Sequence, residues 1–196
     1  MPARTRSVGR PRTFDEEQVL DRALEVFWQR GYQGATARVL EAELDITQSS
    51  IFNAFGSKRN LLGLALDGYE RRIDDVLVAP LDRPDATLVD IDAFFEGLLD
   101  WITGDRHRGC LLLNLLAETA DADAELVTRA SMYRDRLRSV FVSVLMAVDD
   151  DLTLASRRAD LLVSAAMGLN IAARSGASVA ELDRLANGIR AEIAAW

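Results

Sequence analysis

Residues 47–58 read TQSSIFNAFGSK. Ile51 and Phe55 stand four apart, so a helix over this stretch can turn both inward. Thr47, Gln48, Ser49 and Asn53 are then left facing out. Glutamine and asparagine can each pair in bidentate fashion with an adenine edge, and serine or threonine can bond to a base or a phosphate. The stretch ends in Lys58, the only lysine in the chain; the other 22 cationic side chains are arginine. At the start of the following helix, a cation and free backbone N–H groups together can hold a phosphate. Spacing alone also fits an ordinary helical hairpin with a polar outer face.

The flanking sequence is helical in period. Leu20, Ala23, Leu24 and Phe27 fall at i, i+3, i+4 and i+7. Asp15 precedes them with Gln18 three residues on, a capping-box pattern, and Gly31 is placed to stop the helix. Thr36 can cap a short helix through Leu44, Thr47 a second through about Phe55, and Ser57 a longer one. Along that longer helix Leu62, Ala65, Leu66, Tyr69, Ile73 and Val76 make one stripe. A short helix, a three-residue turn and another short helix form a helix-turn-helix, whose second helix is narrow enough for a major groove.

Beyond comes VAPLDRPDA, with Pro80 and Pro84; the other prolines are Pro2 and Pro11, and all four avoid the expected helices. This is the clearest linker in the chain. Further helices are expected near 86–103, 108–119, 123–148, 154–174 and 178–195. No alternating run reads as a strand. The fold class is therefore all-α, with about nine helices. The expected divisions are a basic arm over 1–14, a helix-turn-helix domain over 15–60, and a ligand-binding and dimerisation domain over 61–196.

Charge sharpens the picture. The chain of 196 residues carries a net −8, which argues against a general polyanion binder. The sign is uneven. Residues 1–60 hold nine basic and eight acidic side chains; residues 61–196 hold fourteen and twenty-three. The acidity belongs to the back of the chain, and the front can still meet a phosphate backbone. A single cysteine leaves no intramolecular disulfide to make. The N-terminus lacks the apolar core of a secretory signal, and no window reaches eighteen uncharged apolar residues. The expectation is a soluble, cytoplasmic protein with no membrane partner.

GRPRTFDEEQVLDRALEVFWQRGYQGAT, followed by LDITQSSIFNAFGSKRNLLGLAL, resembles the N-terminal DNA-binding domain of the TetR/AcrR family of transcriptional regulators. The match covers about residues 9–66. After residue 80 only length and helical content agree, apart from GCLLLNLLAE (109–118), whose GC…N…E pattern resembles one regulator subgroup. The resemblance implies a homodimer that binds a double-stranded, palindromic operator, usually as a repressor, and is released by a small-molecule effector. It implies a phosphate contact at Thr36 and a phosphate-binding role for Lys58. Thr47, Gln48, Ser49, Ser50 and Asn53 take recognition-helix positions, with Arg38 and Phe52 in the same DNA-facing set. Arg10 and Arg12 resemble basic arms that some members lay in the minor groove, where negative potential draws arginine.

Three positions depart from the family pattern. Asp45 stands in the turn where glycine is usual; aspartate tolerates the left-handed conformation better than most residues. Glu41 replaces a small alanine, and a buried, unpaired carboxylate there is costly, so it must tilt out or find an arginine, with Arg38 or Arg22 in reach. Phe52 replaces tyrosine and loses one hydroxyl contact. A DNA-silent dimeric binding protein of the same fold is the alternative these departures raise.

In the back of the chain, Tyr69, Phe94, Leu98, Trp101, Asn114, Met132 and Met167 are the candidate pocket residues. Asn114 interrupts an apolar run, with Glu118 one possible partner. Small residues on the penultimate helix and the stripe on the last helix suggest a dimer face through Ala165, Leu169, Leu182, Leu185, Ile189 and Ile193. Cys110 and the sole histidine, His107, are too few for a closed metal site. No metal or other cofactor is expected, and Cys110 is left as a candidate thiol sensor only if exposed. With no nucleophile–base set and no phosphate-cradling loop, the sequence does not read as an enzyme.

Overall fold

The computed structural model describes residues 14–104, 109–119 and 123–196. Among these, nine α-helices and no strand are found. The first four are α1 (Glu16–Gly34), α2 (Ala37–Leu44), α3 (Gln48–Phe55) and α4 (Lys58–Ile73). Their starts follow from their caps. The Asp15 carboxylate accepts from the Glu17 and Gln18 amides, Thr36 from Val39, Thr47 from Ser50 and Ser57 from Asn60. Gly31 leaves helical geometry (φ 69°, ψ 177°) and breaks α1 before its last turn. Asp45 closes α2 in the left-handed region (φ 57°, ψ 37°), the conformation expected of it. The Asn60 side-chain amide donates to the Phe55 carbonyl at 2.8 Å and fixes the tight α3–α4 turn.

The chain after α4 differs from the expected linker. Residues 74–78 form one wide π-type turn, and a short 3₁₀ turn over Ala79–Leu81 takes Pro80. Val78, Leu81 and Ala86 are buried, so VAPLDRPDA is a packed corner. The wide turn also breaks the apolar stripe. Leu77 and Val78 point inward, and Val76, expected on the buried face, is 53% exposed. A π-type turn adds a residue and so shifts the face by about one position.

The remaining helices are α5 (Leu88–Thr103), α6 (Leu111–Thr119), α7 (Ala124–Val148), α8 (Leu152–Arg174) and α9 (Val179–Ile193). Two apolar cores result. One is built from α1–α4 and is closed by Cys110, Leu111, Leu112, Leu115 and Leu126. The other joins α5, α7, α8 and α9 around Phe94, Phe95 and Phe141, with ring centroids 5.2–6.4 Å apart. Trp101 and Tyr133 pack against both. The short α6 is thus the lid of the first core as well as a wall of the cavity described below. No described helix is long and apolar enough to cross a membrane.

Candidate nucleic-acid interface

Ile51 and Phe55 anchor α3 from beneath, each about 1% exposed. That burial turns Thr47, Ser49, Phe52 and Asn53 outward, with Thr36 and Arg38 of the preceding helix also exposed. Gln48 and Ser50 are half-buried. The Thr47 hydroxyl lies 3.0 Å from that of Ser49 and 2.9 Å from that of Ser50, so the three hydroxyls form one cluster. Phe52 is 38% exposed, an aromatic ring held among polar neighbours on the outer face.

The expectation of an arginine partner for Glu41 gives way to an amide. Gln48 donates its side-chain N–H to one Glu41 oxygen at 2.9 Å, and its backbone N–H points at the other at 3.4 Å. The two residues are brought together because α2 and α3 cross at that point. The bond ties up the Gln48 amino group and leaves its carbonyl oxygen as the remaining handle.

Lys58 has an unanticipated seat. Its Nζ lies 4.3 Å from the centroid of the Tyr32 ring, a cation–π contact. Partial burial lowers the pKa of the ammonium, and the nearby Glu118 charge opposes that shift. Glu118 also reaches the backbone beneath Tyr32. Its two oxygens accept from the Tyr32 N–H at 2.8 Å and the Gln33 N–H at 2.7 Å. These are donors freed where Gly31 interrupts α1. A Cβ on Gly31 would collide with the same carboxylate, and φ there is positive. Glu118 and Tyr32 were outside the expected site; the only signals were the RGY that ends α1 and the last letter of GC…N…E.

A second set of contacts joins α4 to α7. Arg59 pairs with Asp123 at 2.9 Å and Glu125 at 3.0 Å, and Arg129 with Asp67 at 2.8 Å, Glu70 at 3.0 Å and Glu125 at 3.3 Å. Arg10, Arg12 and His107 lie outside the described residues.

Behind this surface a cavity of about 90 Å³ opens between α4, α5, α6, α7 and α8. Of the expected pocket residues, Tyr69, Phe94, Leu98, Trp101 and Met167 line it. Met132 does not: α7 presents Ala130, Tyr133 and Leu137 at helical spacing, which leaves Met132 on the outside at 67% exposure. Asn114 is half-buried but off the cavity, because α6 turns Leu112, Leu113 and Leu116 to it. The Trp101 indole N–H is buried without a hydrogen-bond partner. Cys110 also lines the wall. Burial pushes its thiol pKa up, against the hydrogen bond that the Tyr69 hydroxyl donates to its sulfur, so this is not the low-pKa thiol a sensor needs. Among the described residues, no cluster of three or more metal-ligating side chains occurs.

The expected dimer face is rearranged. Leu169, Leu182 and Ile193 are buried in the chain's own core and are not available to a partner. Ala165 and Ile189 are half-buried. On the outer faces of α8 and α9, Leu161, Ile171 and Leu185 are exposed, and Gly168 and Gly188 have open space beside them.

The front of the chain is therefore a helix-turn-helix unit with a polar outer helix, set on a second body of helices with an internal cavity. Residues 19–65 match the model of the bacterial regulatory proteins of the tetR family. The HTH-type transcriptional regulator YezE of Bacillus subtilis (strain 168) is 29% identical over 144 residues, 73% of this chain and 74% of that protein. The HTH-type transcriptional repressor ComR of Escherichia coli (strain K12) is 27% identical over 195 residues, covering 92% and 90%. Among solved structures, the TetR family regulator CifR, a cysteine mutant complexed with 26-bp double-stranded operator DNA, superposes with a TM-score of 0.74 at 28% identity, over 95% of this chain and 100% of that one. SCO4454 of Streptomyces coelicolor, a TetR-family regulator, shares the fold with a TM-score of 0.79 at 20% identity, over 91% and 92%. Residues 19–65 are therefore a DNA-binding domain of the tetR-family type, and the chain as a whole is similar to HTH-type transcriptional regulators.

The geometry at Gly31 makes a stability prediction. Gly31→Ala adds left-handed strain and displaces the Glu118 carboxylate from two amides, which together destabilise by roughly 2–4 kcal/mol. Urea unfolding measures this directly; a change below about 0.5 kcal/mol would contradict the geometry.

Proposed function

We propose that this regulator is a dimeric repressor that reads a palindromic operator with two copies of α3 and is released by a small molecule. The observation that carries the reading is the outward polar face of α3, Thr47 to Asn53, followed at once by Lys58 at the start of α4. On this reading Asn53 and the Gln48 carbonyl face base edges, while Thr36, Arg38, the hydroxyl cluster and Lys58 hold the phosphates. CifR supports it as a relative whose structure is complexed with operator DNA, and ComR as a relative named a repressor. Residues 15–60 are the reading head and 61–196 the effector and pairing body.

The pairing face is assigned to α8 and α9. Exposed Leu161, Ile171 and Leu185 alternate with small residues that let helix axes approach, and burying them removes apolar surface from water. The effector site is assigned to the cavity, whose walls are apolar with few polar groups. An occupant favouring one spacing of the two heads shifts the dimer away from DNA. The Glu41–Gln48 bond supports a second reading, a family member whose head has become weak on DNA, since it holds one reading side chain beside a negative charge.

The test uses duplexes selected from random DNA and fluorescence anisotropy at several salt concentrations. Lys58→Ala weakens binding to selected and random DNA alike and lowers the salt slope by about 1. Asn53→Ala costs about 1–3 kcal/mol on the selected duplex and little on random DNA. Equal losses for both variants on all DNA would contradict the division between base reading and phosphate holding. Glu41→Ala removes a like charge and frees Gln48, so binding tightens severalfold; unchanged binding would set aside the second reading.

A further inference from the structure

We propose that Glu118 of α6 is a positioning residue for the Lys58 phosphate contact, acting through Tyr32; the inference rests on the DNA-binding reading above. The chain of contacts is continuous. Both Glu118 oxygens hold the backbone of Tyr32 and Gln33, at 2.8 and 2.7 Å. Those amides follow the Gly31 break, where the backbone leaves helical geometry (φ 69°, ψ 177°). The carboxylate therefore decides where the Tyr32 ring sits. The ring in turn carries the Lys58 ammonium at 4.3 Å and stacks against Phe27 of the first core at 6.3 Å. Gly31 offers independent support, because any side chain there would occupy the space of the carboxylate. Charge-assisted bonds to two successive N–H groups are among the stronger local restraints a side chain can apply.

A positioning role and a plain charge effect predict opposite signs. Glu118 is an anion near a cation that meets phosphate. By Coulomb's law alone, removing its charge lowers repulsion of DNA and tightens binding. If Glu118 positions Tyr32, removing one of its two acceptors loosens the ring and weakens binding. Glu118→Gln separates these cases. It keeps the size and one acceptor oxygen, but turns the other oxygen into a donor that cannot take the second amide.

Because Lys58 is the only lysine, protein labelled with ¹³C-lysine gives one Cε signal, free of overlap. Over the Tyr32 ring, that signal is displaced by the ring current. The experiment measures it in the wild type, in Glu118→Gln and in a charge control, Asp75→Asn, an exposed site in the turn after α4. The same proteins are titrated with the selected duplex. The expected result is a lysine signal that moves toward its free position in Glu118→Gln alone, with DNA binding about fivefold to tenfold weaker and a smaller salt slope. In a Lys58→Ala background, adding Glu118→Gln then changes affinity little. A lysine signal unmoved by Glu118→Gln overturns the proposal, as does tighter or unchanged DNA binding. A wild type that binds no duplex sinks the DNA-binding reading instead, and the lysine signal alone then decides whether Glu118 sets Tyr32.

Discussion

One carboxylate joins the two halves of this molecule. The chain leaves α1 at Gly31, and two backbone donors are released at the break. They are answered by Glu118, which lies 85 and 86 residues further along the sequence. Everything around the break follows from that bond. A side chain at position 31 would sit at positive φ and push the carboxylate aside, Tyr32 is directed over the start of α4, and Lys58 comes to rest on its ring. The same short helix turns Leu112, Leu113 and Leu116 to the cavity. Cavity and reading head thus meet on opposite sides of nine residues of α6. The ion pairs of Arg59 and Arg129 make a second tie, from α4 to α7. Buried atoms left unpartnered at Arg59 and Glu70 show that this network is not fully satisfied. Such a network is a weaker contributor to stability than its number of contacts suggests.

The acidity of the back of the chain takes on a different meaning in three dimensions. Much of it is held in pairs with arginine: Asp74 and Asp82 with Arg136, Asp160 with Arg138, Asp92 with Arg190, Asp149 with Arg158. These pairs bridge successive elements and neutralise those carboxylates locally, while the net −9 of residues 61–196, which already counts the arginines, is left to the unpaired acids. Two of the negative charges close to the reading head have specific partners. Glu41 is bonded to Gln48, and Glu118 is committed to the α1 break.

Local chemistry was legible in the sequence. Thr36, Thr47 and Ser57 set the starts of α2, α3 and α4 because a cap acts within three residues of itself. Ile51 and Phe55 declared the inner face of α3 for the same reason: four residues is one turn. What escaped was set by contacts across the fold. Val76 sits on the expected stripe, but it lies inside a π-type turn that changes the phase. Leu169 on α8 and Leu182 and Ile193 on α9 belong to apolar stripes, and a period of 3.6 does not say whether the partner belongs to the same chain or another. Met132 and Tyr133 are neighbours in sequence and about 100° apart on α7, so one lines the cavity and the other does not. Glu41 found an amide seven residues on instead of an arginine on its own helix. Glu118 was marked only as the last letter of GC…N…E, which says nothing of a partner 85 residues earlier in the chain.

The account stands on two reading heads held at a fixed spacing by one paired body. Native mass spectrometry of the protein on a duplex selected from random DNA tests this most directly, because it weighs the complex while the selection reports the symmetry of the site. The account predicts an inverted repeat whose half-sites are about one helical turn apart or a multiple of it, occupied by an even number of chains. A single half-site bound by one chain, or a selection that enriches no sequence, would contradict it.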